Sequence, residues 1–123
     1  MKPLIYVFLG GGLGSVIRYL IGRFSLNHFN LGLPLGTFIA NMLSCILLGG
    51  ILLWLKSKNA SSDEALKLFL VIGLCGGLST FSTFSLETFD LLKSGAVLAA
   101  VLNVVFSLVF ALLLLYFFIS KPS

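Results

Sequence analysis

Four apolar stretches dominate the chain: from about Leu4 to Ile21, from Leu35 to Leu55, from Leu66 to Leu92 and from Ala96 to Ile119. Each is close to the ~20 helical residues that cross a bilayer. Lipid offers no partner to an open backbone, so all four are predicted to be helices. The alternation by two that a small barrel would show is missing. The connections are short and polar. Leu26 to Pro34 carries Asn, His and Gly, with His28 read as an ordinary loop residue, and Lys56 to Glu64 carries Lys, Asn, Ser and Asp. Lys93 to Gly95 is a minimal turn. Ser61 or Ser62 is placed to cap the third helix, with acids following near its positive end. The pattern predicts a single four-helix membrane domain over residues 1–123.

Composition agrees. Hydrophobic residues make up 59 % and charged residues 10 %, with a mean hydropathy of +1.14. Soluble domains carry roughly 45–50 % and 25 %. So little charge excludes a disordered chain, a nucleic-acid arm and an ordinary soluble enzyme. The net charge of +4 then reads as residues set against lipid headgroups, with no nucleic-acid partner. Lys2 before an apolar run fits a signal peptide only weakly, since Arg18 interrupts the run and no small-x-small site follows. Asn59-Ala60-Ser61 matches a glycosylation acceptor at the level of chance. Cys45 and Cys75 lie inside apolar runs and read as buried free thiols.

Small residues recur at helical spacing. Gly10 and Gly14 are four apart, as are Gly73 and Gly77, and Gly36, Ala40 and Ser44 continue the interval. Such faces let helix backbones approach where lipid removes the hydrophobic drive to associate. Gly10-Gly11-Gly12-Leu13-Gly14 is no nucleotide loop, because no strand precedes it. Several polar residues fall at membrane depth: Arg18, Asn41, Asn103 and Ser107. An amide facing hydrocarbon without a partner costs several kcal/mol. Each therefore faces either a neighbouring helix, as a hydrogen-bonding group, or a polar pathway for a solute. For Arg18, snorkelling or pairing near an interface is the expectation.

The densest signal runs from Gly73 to Ser85, Gly-Leu-Cys-Gly-Gly-Leu-Ser-Thr-Phe-Ser-Thr-Phe-Ser. Three glycines followed by hydroxyl residues weaken a helix. The third helix is therefore expected to break near its middle, at Gly76-Gly77, and to leave carbonyls that need partners. Phe81 and Phe84 are three apart and share a face. The edge of an aromatic ring is electropositive and suits an anion.

Three segments occur in order: Gly11-Gly12-Leu13-Gly14-Ser15-Val16-Ile17-Arg18-Tyr19, Gly36-Thr37-Phe38-Ile39-Ala40-Asn41, and Gly73 through Phe84. With them the chain closely resembles the small bacterial fluoride channels of the Fluc (CrcB) family, over essentially its whole length. The resemblance implies an all-α membrane protein of the cell (inner) membrane, whose four-helix subunits pair antiparallel into a homodimer with two fluoride pores. It implies that Asn41, Phe81 and Phe84 line the pores. Carbonyls of Gly76 and Ser79 would hold a central, structural sodium ion. Ser82, Thr83 and Ser85 match the hydroxyl-bearing pore track, and Ser107 joins it on the polar-pathway reading. Glu87 matches an acid at the helix end, with Arg18 at the pore vestibule. Ser79 stands where threonine is common, Ser44 where a smaller residue is usual, and Asn103 at a position often aromatic.

The chemistry is consistent with that family. Fluoride is strongly hydrated, so a pore must replace its water with close donors, which Asn, Ser and Thr supply. Hydrogen fluoride enters cells neutral and dissociates inside, so a passive exit for the anion would give resistance. No acid pair, Cys–His or Ser–His pairing or metal-ligand cluster points to an enzyme. The alternative is a small proton-coupled multidrug-type exporter, which would need a carboxylate in the first span, where none lies; a scaffold protein is a third. Lys2, Lys56, Lys58, Lys67 and Lys121 fall on one side of the membrane and Arg18, Arg23 and Lys93 on the other. This bias is modest. Together with the resemblance it predicts subunits that insert both ways.

Overall fold

A computed structural model describes residues 1–28, 34–59 and 63–120. Long runs of Leu, Ile, Val and Phe without an internal proline fold as helices: α1 over Lys2–His28 and α2 over Leu35–Ser57. α3 covers residues 64–78 and is made of Glu64–Leu66, a wide-turned π-helical stretch over Lys67–Cys75, and Gly76–Leu78. α4 covers Phe81–Lys93 and α5 covers Val97–Ile119. Among the described residues four segments are long and apolar enough to cross a membrane: Lys2–Leu26, Leu35–Ser57, Glu64–Lys93 and Val97–Ile119. At 1.5 Å per residue the 27 residues of α1 reach about 40 Å, more than the ~30 Å hydrocarbon core.

The structure extends α1, shows a cap for α3 and details the turn after α4. α1 runs well past Ile21 and ends at His28, so His28 closes a helix; its sequence meets no glycine or proline breaker between Gly22 and Gly32. Ser61 and Ser62 lie outside the described residues. The cap seen is Asp63, whose carboxylate accepts the Leu66 N–H at 3.2 Å. The turn after α4 is a Schellman motif: Ala96 N–H bonds the Leu91 carbonyl at 2.8 Å and Gly95 N–H that of Leu92 at 3.1 Å. Gly95 takes φ +89°, which a side chain would strain.

α1 packs chiefly along α3, and α2 along α5. The expected glycine faces meet each other. A Cβ on Gly73 would stand 2.9 Å from Gly10 Cα, and one on Gly77 would stand 3.0 Å from Gly11 Cα. Ala40 and Ser44 are buried, and Gly36 lies against Gly22 of α1. Among the described residues the buried apolar set is small: Ala40, Leu55, Cys75, Leu78 and Ala100. Phe8, Tyr19, Leu98, Leu112 and Tyr116 stand well exposed on the outside, where a membrane protein meets lipid or another subunit.

Candidate functional site

The third span leaves the helix at two residues. Ser79 (φ −84°, ψ 157°) and Thr80 (φ −151°, ψ 126°) are extended between α3 and α4. Gly76 and Gly77 stay helical, so the interruption comes after the glycines expected to cause it. Gly77 serves close approach to α1, whereas Thr80 leaves the helix to cap the next one: its Oγ1 accepts the Thr83 N–H at 3.2 Å. A β-branched hydroxyl residue is well suited to that position.

Two other helices hydrogen-bond this junction, and α5 bonds farther along α4. From α2, Asn41 grips the backbone of Thr80: its Oδ1 accepts the Thr80 N–H at 2.8 Å and its Nδ2 donates to the Thr80 carbonyl at 3.4 Å. Ser44, one turn away, donates to the Cys75 carbonyl at 2.8 Å, which also accepts the Ser79 hydroxyl at 3.0 Å and the Ser79 N–H at 3.1 Å. From α1, half-buried Arg18 is paired: its Nε donates to the Gly77 carbonyl at 3.2 Å. A helix end in a dry setting needs such partners. From α5, Asn103 donates to Thr88 Oγ1 at 2.9 Å, and Thr88 donates to the Phe84 carbonyl at 2.8 Å. Asn103 is thereby a helix–helix hydrogen-bonding residue.

A cavity of about 280 Å³ opens beside the junction. It brings together Asn41, Ser79, Phe81, Phe84 and Ser107, with Cys45 one turn along α2 from Asn41. Phe81 is 79 % exposed and Phe84 is half-buried; their centroids lie 6.2 Å apart with the rings tilted at 44°. Ser107 is buried and also borders an apolar cavity of about 320 Å³ that Asn103 lines. The remaining hydroxyls part company. Ser82 is exposed, with its Oγ 3.3 Å from Thr80 Oγ1, and Ser85 is half-buried outside this cavity. Thr83 faces a second cavity, of about 240 Å³, together with Arg18, Arg23, Thr80 and Glu87. Thr80 thus borders both.

Glu87 also lines a third cavity, of about 200 Å³, with Ser25 and Thr37. Cys45 and Cys75 are free thiols. Gly76 is exposed, and a Cβ there would meet nothing within 4 Å. Thr80, Thr88 and the hydrogen-bonding role of Ser44 escape sequence reasoning. Each acts through a partner on another helix or through the backbone, and no local pattern marks that.

The family described as "CrcB-like protein, Camphor Resistance (CrcB)" matches residues 5–119. A protein of Flavobacterium psychrophilum named fluoride-specific ion channel is 42 % identical over 113 residues, covering 92 % of this chain and 90 % of the relative. Proteins of the same name from Phocaeicola vulgatus and Shewanella baltica are 46 % and 43 % identical, covering 77 % and 94 % of this chain and 77 % and 92 % of the relatives.

Proposed function

The chain belongs to the CrcB-like family, and from that premise we propose that it is a fluoride-selective channel allowing passive fluoride efflux and so resistance to fluoride. Relatives named fluoride-specific ion channel match most of its length. The observation that carries the reading is the cavity beside the helix junction, where an amide, two phenylalanine rings and a buried serine converge at membrane depth. Asn41 Oδ1 is committed to a backbone N–H, which fixes which way the amide points. Nδ2 carries two hydrogens; one is directed at the Thr80 carbonyl, and the other is available to an anion. Ring edges of Phe81 and Phe84 add weak attraction that does not trap the ion, as conduction requires. Ser107, Ser82, Thr83 and Ser85 supply further hydroxyl donors, and Arg18 with Glu87 forms a vestibule in the neighbouring cavity.

Two subunits pair antiparallel and carry two pores. The exposure of Phe81 supports a second subunit covering that face, because a pore wall needs two sides. A central sodium ion fits the Gly76 and Ser79 carbonyls. In an unbroken helix the Thr80 N–H would bond Gly76 and the Thr83 N–H would bond Ser79, but these donors go to Asn41 and to Thr80 Oγ1. The neighbouring Cys75 and Gly77 carbonyls have side-chain donors of their own. Carbonyls at the end of a half-helix suit a hard monovalent cation. Bound there, sodium supplies fixed positive charge between the two pores.

The test is fluoride efflux from liposomes holding only this protein, with no proton gradient. Rapid fluoride loss with far slower chloride loss is expected. Efflux only with an imposed proton gradient, or none at all, overturns the channel.

A further inference from the structure

The pairing of Asn41 with Thr80 has an effect one helical turn earlier in the chain. An α-helix continued through Thr80 would direct the Thr80 N–H to the Gly76 carbonyl. Here that hydrogen is held at 2.8 Å by Asn41 Oδ1, and the same side chain donates to the Thr80 carbonyl. A primary amide reaches the N–H and the C=O of one residue together only when that residue is extended, so that the two groups point the same way, and Thr80 is extended, at φ −151° and ψ 126°. Asn41 is half-buried, and a buried peptide stripped of these bonds would recover one of them by returning to the helix.

The other contacts at the junction do not hold it this way. Ser44 and Ser79 cap Cys75, and Arg18 caps Gly77; all three bond the end of α3 without touching the Thr80 N–H. The Thr80 side chain caps α4 from within the extended segment, which fixes where α4 begins but leaves the Thr80 N–H without a partner of its own.

We infer that Asn41 is a positioning residue: its amide clamps the backbone of Thr80 out of the helix, keeps the third span broken, and frees the Gly76 carbonyl. The clamp ties the fluoride-lining cavity to the carbonyl end of α3 through a single side chain. Its link to sodium rests on the cation reading proposed above; the clamp itself does not. Asn41→Leu removes both bonds. Asn41→Asp keeps an oxygen for the Thr80 N–H and loses only the donor.

The experiment is solid-state NMR of the full-length protein in lipid, reading backbone carbon shifts of Ser79 and Thr80, with sodium titrated against the thermal stability of the same samples. In the parent both residues carry extended-type shifts. In Asn41→Leu they move to helical values, whereas in Asn41→Asp they stay extended. The sodium needed for half-protection rises about tenfold in Asn41→Leu, the effect of one ordinary hydrogen bond. If Asn41→Leu yields no folded protein, Asn41→Ala carries the same expectation. Extended shifts retained in Asn41→Leu or Asn41→Ala overturn the clamp, as do helical shifts in Asn41→Asp. A parent whose stability ignores sodium removes the cation reading, and the clamp then stands or falls on the shifts alone.

Discussion

Phe81 and Phe84 show how much a single ring can decide. Their centroids are 6.2 Å apart with the rings tilted at 44°, and both line the shared cavity. An anion is repelled by a ring face and drawn to an edge. Phe81→Ile and Phe84→Ile keep bulk and hydrophobicity but remove the polarised edge. Folded protein with fluoride efflux lowered at least tenfold is expected in liposome assays, with a milder loss for Met, whose sulfur is polarizable. Efflux equal to the parent's would reduce both rings to packing. Arg18 offers a second test at this scale. Its Nε–H to the Gly77 carbonyl is a hydrogen bond from a charged donor, worth about 1.5–3 kcal/mol. Arg18→Met is expected to lower the thermal midpoint in detergent, and an unchanged midpoint would show that the bond carries little.

Helices α1 and α3 meet backbone to backbone, and that contact has a direction. A Cβ on Gly77 would strike the Gly11 backbone, whereas one on Gly12 would meet nothing within 4 Å. Gly77→Ala is therefore expected to cost about 1–3 kcal/mol by overpacking. Gly12→Ala, with no clash and better helix propensity, should be neutral or slightly stabilising. Thermal unfolding of the two variants side by side checks this, and equal midpoints would mean that the helices do not touch there. At the start of α4 the prediction concerns the cap. Thr80→Val keeps the β-branch and loses the oxygen that accepts the Thr83 N–H, at a cost of about 1 kcal/mol. Circular dichroism on heating, with fluoride efflux measured alongside, reads that loss.

For the whole molecule, the buried core is too sparse to be the main source of cohesion. Leu55 and Leu78 are the largest side chains buried completely, while Phe81, Leu98 and Tyr116 stand open. Small-residue packing and polar bonds at the junction hold the four spans together, and lipid or a second subunit covers the rest. Basic residues differ by only five against three across the membrane, since the eight Lys and Arg of the chain divide that way. Topology reporters fused to the C-terminus are expected to appear on both sides of the membrane. A single orientation would replace the antiparallel pair with a fixed-topology assembly.

Hydropathy settled the four spans, because desolvation acts residue by residue and needs no partner. The spacing of Gly10, Gly14, Gly73 and Gly77 marked the faces that meet, and the segment from Gly73 to Phe84 identified the family. Where the third span leaves the helix was not legible. Gly76 and Gly77 are the weaker helix formers, yet both remain helical, Gly77 against the Gly11 backbone of α1, and the chain departs at Ser79 and Thr80 where Asn41 receives the backbone. The bonds that decide this join residues 39 and 59 positions apart, Asn41 to Thr80 and Arg18 to Gly77. The same holds for the division of the hydroxyls, with Thr83 turned toward Arg18 and Glu87 while Phe81 and Phe84 face Asn41. Local periodicity says which residues share a helix face. Which face meets which donor depends on how separate helices pack, and only the tertiary structure decides that.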